Sequence, residues 1–218
     1  MTDHVDALVP FAPDRPKTRL SDTLSPAERR AFAGAMLSDV LAALAGAGFA
    51  PRLLTTEATG RDVSETVDDR PLTEAVNAAR DVHGPAPESP LAVVMADLAL
   101  ATPRALARLR GRDDAGDRIA GVTIAPGRAG GTNALVVRHP EFRVDYHGAS
   151  YLDHLRVARD IGASVREVDS RRLATDIDER ADLAEVLISG EGAARDWLVD
   201  AGFELDTGDG RVSIARTG

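Results

Sequence analysis

Cysteine is absent from this chain of 218 residues, and lysine nearly so, since 25 arginines accompany the single Lys17. Without cysteine there is no disulfide, no thiolate metal site and no cysteine nucleophile, and a reducing compartment is the natural setting. No apolar run approaches the ~18 residues needed to span a bilayer. The opening residues carry Asp3 and Asp6 rather than the basic, apolar pattern of a secretion signal. These absences predict a cytoplasmic protein with no membrane partner. Positive charge is also short: 26 Lys+Arg against 35 Asp+Glu leave a formal charge of -9, which excludes a general nucleic-acid binder. Aromatics are only 4%, but 44% hydrophobic residues and a length above 200 suffice for a sizeable core in one domain.

What is abundant is aspartate, 24 against 11 glutamates. An Asp-rich, Lys-poor surface suits a high-salt cytoplasm, because carboxylates hold water where salt screens charge, so a halophilic source is expected. In such a chain one surviving lysine points to a place where a compact ammonium serves and a planar guanidinium does not, with drift in genome composition as the plainer alternative.

Apolar runs alternate with helical patterns. Strands are expected at 5–11, 51–56, 63–67, 91–96, 121–125, 134–138 and 163–168, and helices at 72–82, 103–109, 151–161, 183–187 and 194–198. Ser25-Pro26-Ala27-Glu28 reads as a capping box opening a further helix, whose apolar face (Phe32, Met36, Leu37, Val40, Leu41, Leu44) ends at Gly46 to Gly48. From about 190 the chain closes with a helix and a hairpin around Gly208-Asp209-Gly210. This is an α/β pattern: a mostly parallel sheet with helices on both faces, in three layers. Ligands of such sheets sit beyond the carboxyl ends of the strands.

Three places there carry chemistry. Arg15, Lys17 and Arg19 follow the first strand at alternate positions and would face one way if extended, a local cationic site in an anionic protein; a solvated surface loop is the alternative. Asp97 ends the most apolar strand, where an ionised carboxylate needs exposure, hydrogen bonds or a metal; a cap for the helix at Pro103 is the plainer alternative. Asp176 and Asp178 share one side if extended, and carboxylates about 4 Å apart repel by roughly 4 kcal/mol at an effective dielectric near 20, which a divalent cation would remove. One of them could instead cap the next helix. Gly127 to Asn133 (GRAGGTN) is not a Walker loop, but its glycines let backbone N–H groups approach an anion, with Thr132 and Asn133 beside them; a hairpin turn is the alternative. Gly148 and Ser150 precede a helix whose first amides can receive an anion, though Ser150 also suits an ordinary cap. His139, His147 and His154 lack a compact zinc spacing, and G-x-S-x-G is absent, so neither a zinc site nor a serine hydrolase is expected. Trp197 and Phe203 read as core.

Taken together, PFxxDRPKTRLxxxLSPAER, MADLAL (95–100), APGRAGGTNAL (125–135), FRVDYHGASYLDH (142–154) and LATDID (173–178) resemble the 2-phospho-L-lactate guanylyltransferase family in its haloarchaeal form, over nearly the whole chain. The resemblance implies a Rossmann-like nucleotidyltransferase fold of the nucleotide-diphospho-sugar transferase type. It implies transfer of GMP from GTP to 2-phospho-L-lactate, or phosphoenolpyruvate, with release of pyrophosphate, on the way to coenzyme F-420. It assigns Arg15, Lys17 and Arg19 to the triphosphate, Asp97, Asp176 and Asp178 to Mg2+, and Thr132, Gly148 and Ser150, with Asn133 beside them, to a small phosphorylated carboxylic acid. A homodimer is compatible with it. The chain departs from the family at Ala99, where proline is frequent, and at Pro71-Leu72-Thr73, where a Gly-Leu-Asn segment lies near the base pocket. Competing readings are a nucleotidyltransferase or metal-dependent glycosyltransferase with another phosphorylated acceptor, and a catalytically silent nucleotide-binding subunit.

Overall fold

A computed structural model describes residues 4–14, 16–111, 121–208, 210 and 212–217. Seven strands form the central sheet: β1 (Val5–Phe11), β2 (Phe49–Thr55), β3 (Glu65–Val67), β4 (Leu91–Val94), β5 (Val122–Pro126), β6 (Thr132–Val137) and β7 (Val165–Glu167), in the order β3-β2-β1-β4-β6-β5-β7. All neighbours are parallel except β6, which runs antiparallel to both β4 and β5. From β1 the chain winds outward to β2 and β3, while β4 begins the other half. The β1–β4 boundary is therefore the topological switch point, where the loops leaving the two strands diverge and open a crevice.

Alternation along the strands feeds two faces. Ala7, Val9, Ala92, Val94 and Val136 pack with Leu37, Val40 and Leu44 of α1 (Pro26–Gly46). Leu8, Leu91, Val93, Leu135 and Val137 pack with Ala75 and Val76 of α2 (Leu72–His83) and Ala158 of α4 (Ser150–Asp160). A short α3 (Pro103–Ala107) covers the α1 side, and a 3-10 turn replaces the end of the expected 103–109 helix before Gly111 enters the left-handed region. β4 stops at Val94, two residues short of the expected strand, because the chain turns at Ala96-Asp97 to leave the sheet.

The capping box at Ser25 and Glu28 forms as expected: Ser25 Oγ accepts from Glu28 N–H and Glu28 Oε2 from Ser25 N–H. Glu28 also binds Arg216 of the terminal hairpin, β8 (Phe203–Asp206) with β9 (Ser213–Arg216), whose turn residue Asp209 lies outside the described residues. Arg216 stacks over Phe203 at 4.8 Å from the ring centre. Together with α6 (Arg180–Ser189) and α7 (Ala193–Asp200), this end of the chain buries Leu183, Leu187, Leu198 and Phe203 against Phe32 and Met36 of α1. The four-residue helix α5 (Arg171–Ala174) is too short to leave a periodic signature in the sequence. Among the described residues no helix is long and apolar enough to cross a membrane.

Phe32 is fully buried and Val82 is 91% exposed, so the two should respond oppositely to truncation. Chemical denaturation in high salt is expected to show Phe32→Ala losing about 3–5 kcal/mol and Val82→Ala staying within about 0.5 kcal/mol of the parent.

Candidate active site

Beyond β1 the chain reverses through Lys17, whose φ of 53° is the only left-handed conformation at a non-glycine position among the described residues. Such a conformation persists only where its surroundings fix it. Here the buried Arg29 donates from Nε to Pro16 O (3.3 Å) and from Nη1 to Leu24 O (3.0 Å), while Leu20 and Leu24 sink into the core beside Phe32. The ammonium is thereby delivered to two carboxylates, 2.7 Å from Asp97 Oδ2 and 2.6 Å from Asp178 Oδ1. Burial works against its charge, but the fields of Asp97 and Asp178 and hydrogen bonds to both outweigh it and raise its pKa above the ordinary lysine value. The segment through Lys17 and Arg19 is not extended, so these two cations do not alternate along one side. A 3-10 turn at Thr18–Leu20 leaves Lys17 10% exposed and Arg19 69% exposed, yet Arg19 still reaches Asp178 Oδ2 at 3.2 Å. Arg15 lies outside the described residues.

Asp97 caps nothing, because Thr102 Oγ1 accepts from Ala105 N–H and serves α3 itself. Its Oδ1 is buried without a hydrogen-bond partner, a costly state for a carboxylate oxygen. The 175–178 segment is extended, with Thr175 and Ile177 buried and Asp176 and Asp178 on the opposite side. Neither aspartate caps α6, since Glu179 and Asp182 form that box. Ile177 N–H donates to Asp97 O at 3.2 Å, tying the two acidic segments together. Asp178 shares Lys17 with Asp97, whereas Asp176 accepts from Asn133 Nδ2 at 3.2 Å. Among the described residues no three carboxylates or imidazoles surround a common point closely enough to hold an ion in this arrangement. The partnerless Asp97 Oδ1 and the all-oxygen donor set are nonetheless what a hard divalent cation such as Mg2+ takes.

The glycine segment is the hairpin turn between β5 and β6, closed by Gly127 N–H to Gly131 O at 2.8 Å. At its exit Asn133 is the extra residue of a β-bulge, since Ala125 pairs with Ala134 and Pro126 with Thr132. The bulge turns Asn133 to Leu173 O (3.0 Å) and Asp176, and Gly127 makes room, as a Cβ there would stand 2.6 Å from Asn133 Oδ1. Thr132 turns to α4. Its N–H donates to Ser150 Oγ (3.0 Å) and its hydroxyl meets His154 Nδ1 at 2.8 Å. Ser150 is thus no cap: it is the first residue of α4, and Ala149 stands at the cap position. Gly148, in the left-handed region at φ 49°, carries the chain into that helix. His154 is completely buried, and burial, against the weaker pull of Asp145 and Asp153, pushes its pKa down to about 4.

Two clefts meet at this cluster. One is lined by Phe11, Ala12, Pro16, Lys17, Met95 and Asp97, and shares Phe11, Ala12 and Met95 with a neighbouring apolar cleft of about 290 Å3 formed with Leu54, Thr56, Asp68 and Leu72. On the other side a polar cleft of about 340 Å3 is bordered by Arg19, Arg128, Asp176 and Asp178. Sequence reading missed Arg29, which carries no local signal of its role, and considered His154 only as a zinc ligand. Asn133 was placed beside the acceptor, with no sign that it would bind Asp176.

Because the folded state holds His154 neutral down to about pH 4 while the unfolded chain takes up that proton near pH 6.5, stability is lost as pH falls through this window. The loss through this group is about 3 kcal/mol. Denaturation midpoints at pH 7 and pH 4.5 should fall further for the parent than for His154→Phe, and equal falls would contradict the assignment.

Residues 5–216 match the family described as guanylyl transferase CofC like. The chain is 60% identical over 220 residues to a 2-phospho-L-lactate guanylyltransferase of Halorubrum lacusprofundi, covering 97% of this chain and 100% of the relative. It is 56% identical to that of Haloferax volcanii (96% and 97% covered) and 45% identical to that of Methanoregula boonei (96% and 94%). The fold is similar to a structure described as a nucleotide-diphospho-sugar transferase from Desulfovibrio desulfuricans (TM-score 0.70, 14% identity, 92% and 95% covered). It is also similar to a nucleotidyl transferase from Methanothermobacter (TM-score 0.62, 16% identity, 90% and 99% covered). With a match running from the first residue of β1 to the last of β9, the chain belongs to the CofC-like guanylyl transferase family.

Proposed function

We propose that this protein transfers GMP from GTP to 2-phospho-L-lactate, releasing pyrophosphate, in a reaction that depends on Mg2+. The observation that carries this reading is the double ion pair of Lys17 with Asp97 and Asp178 at the switch point of the sheet, in a chain of this family. An acceptor phosphate oxygen attacks the α-phosphorus of GTP. The new bond is P–O, the broken bond is that to the oxygen bridging to the β-phosphate, and pyrophosphate leaves with its electron pair. The attacking oxygen is already ionised, so no general base is needed and catalysis rests on positioning and charge neutralisation.

The residues divide that work. Lys17, with Arg15 and Arg19, neutralises the triphosphate and the departing pyrophosphate. Asp97, Asp176 and Asp178 are the groups that would hold Mg2+, which when bound supplies charge neutralisation between the two anionic reactants. Asn133 keeps Asp176 in place, and Thr132, Gly148 and Ser150 hold the acceptor. The cleft between Phe11, Leu54 and Leu72 receives the base, with Thr56 and the ion-paired Asp68 and Arg70 as the polar groups in its wall. Thr73, the last residue of the departing Pro-Leu-Thr segment, instead accepts from Tyr146 N–H at 2.9 Å.

Pyrophosphate release in high salt tests this reading. Release is expected with GTP and 2-phospho-L-lactate, to exceed that with CTP or UTP, and to stop on chelation and return with added Mg2+; phosphoenolpyruvate serves as the competing acceptor. Asp97→Asn is expected to lose at least roughly 10²-fold in turnover while still unfolding in one cooperative transition, its midpoint lowered by the loss of one partner of Lys17. Normal turnover by that variant would remove Asp97 from the mechanism.

A further inference from the structure

The buried contact between Thr132 and His154 has a polarity that its surroundings dictate. Asp145 N–H is a backbone group that can only donate, and its acceptor is His154 Nε2 at 2.9 Å. Nε2 therefore presents its lone pair. The imidazole is fully buried between Phe142 and Tyr146, whose rings lie 5.8 and 5.2 Å away, and is neutral at physiological pH. A neutral ring with a lone pair on Nε2 carries its proton on Nδ1. Across the 2.8 Å contact it follows that His154 donates and Thr132 Oγ1 accepts. Ser150 Oγ is an acceptor too, because its partner is the backbone N–H of Thr132. Both hydroxyls have thus received a hydrogen bond from within the protein, and each retains its own proton with no acceptor in the contacts described above.

We propose that His154 is a positioning residue for the acceptor: by donating from Nδ1 it bars the Thr132 hydroxyl from turning inward, so that the Thr132 and Ser150 protons form a matched donor pair for anionic phosphate oxygens. This rests on the reading of Thr132 and Ser150 as acceptor-binding groups and adds what makes them donors. The opposite tautomer would let Thr132 donate to the imidazole and present a lone pair to the phosphate, which repels it. It would also leave Asp145 N–H facing another N–H in the interior, so the loop that carries Asp145 into Gly148 enforces the polarity. His154 touches neither substrate in this arrangement and acts only through Thr132.

Nitrogen-15 NMR of the imidazole in the parent protein at pH 7 reads the tautomer directly. A protonated Nδ1 with bare Nε2 is expected, the minority form of free histidine, and a protonated Nε2 would overturn the proposal. Binding of phosphoenolpyruvate, followed by shifts of the Thr132 amide, is then compared in the parent, His154→Phe, Thr132→Val and the double variant. Each single change is expected to weaken binding about 10-fold and the double change no further, because both remove the same donor. His154→Asn, whose amide N–H can replace Nδ1–H, recovers most of the loss. In steady state His154→Phe raises KM for the phospho-acceptor and leaves KM for GTP unchanged. Unaltered acceptor binding in the variants, additive losses, or equal effects on both substrates would reduce His154 to a core residue. Failure of the parent to release pyrophosphate would sink the proposed reaction instead, while the tautomer and the binding cycle still decide the role of His154. Should His154→Phe fail to fold, His154→Leu, which also lacks a donor, takes its place in the cycle with Thr132→Val, and the tautomer read in the parent protein still decides the polarity.

Discussion

Lys17 holds the site together. Its ammonium is within 2.7 Å of Asp97, in the turn that follows β4, and within 2.6 Å of Asp178, from a segment 161 residues away. Without that cation the two carboxylates would face each other half-buried, at a repulsion of a few kcal/mol in a partly shielded setting. Arginine would fit poorly there. Its flat fork matches one carboxylate in two-point fashion, whereas the point charge of an ammonium can serve two carboxylates on different chain segments. This accounts for one lysine persisting among 25 arginines.

The same pair of contacts describes how the site manages its own charge. Asp97 and Asp178 are satisfied on one oxygen each by Lys17, and the second Asp97 oxygen has no partner. In the proposed reaction Asp97 and Asp178 would hold the divalent cation, which would supply the positive charge that Lys17 supplies here, and the Lys17 ammonium would then serve the phosphates. Its left-handed backbone is held by Arg29 and by the burial of Leu20 and Leu24.

Much of this was legible in the sequence because local chemistry encodes it. Ser25 to Glu28 capped α1 as their spacing requires, the uninterrupted apolar run at 91–94 became the wholly buried β4, and the two-residue step between Asp176 and Asp178 set both on one side of an extended segment. What stayed hidden depends on partners far along the chain. Nothing near Arg29 says that it grips Pro16 and Leu24, and a left-handed lysine cannot be inferred from its neighbours, so the alternate spacing of Lys17 and Arg19 reads only as a loop whose cations face one way if it is extended. The antiparallel course of β6 follows from the short glycine turn, but the bulge that aims Asn133 at Asp176 and Thr132 at His154 is a property of the pairing with β5. His154 offered only the general identity of a histidine; its neutral state and its polarity come from burial and from the Asp145 amide.

The exchange at Lys17 is the claim on which the functional account stands, and a crystal structure with Mg2+ and a non-hydrolysable GTP analogue tests it most directly. The account predicts Mg2+ bound to Asp97 and Asp178, with the Lys17 ammonium withdrawn from at least one of them and in hydrogen-bonding reach of a phosphate oxygen. A nucleotide bound elsewhere on the sheet, with Lys17 still bridging both carboxylates, would contradict it.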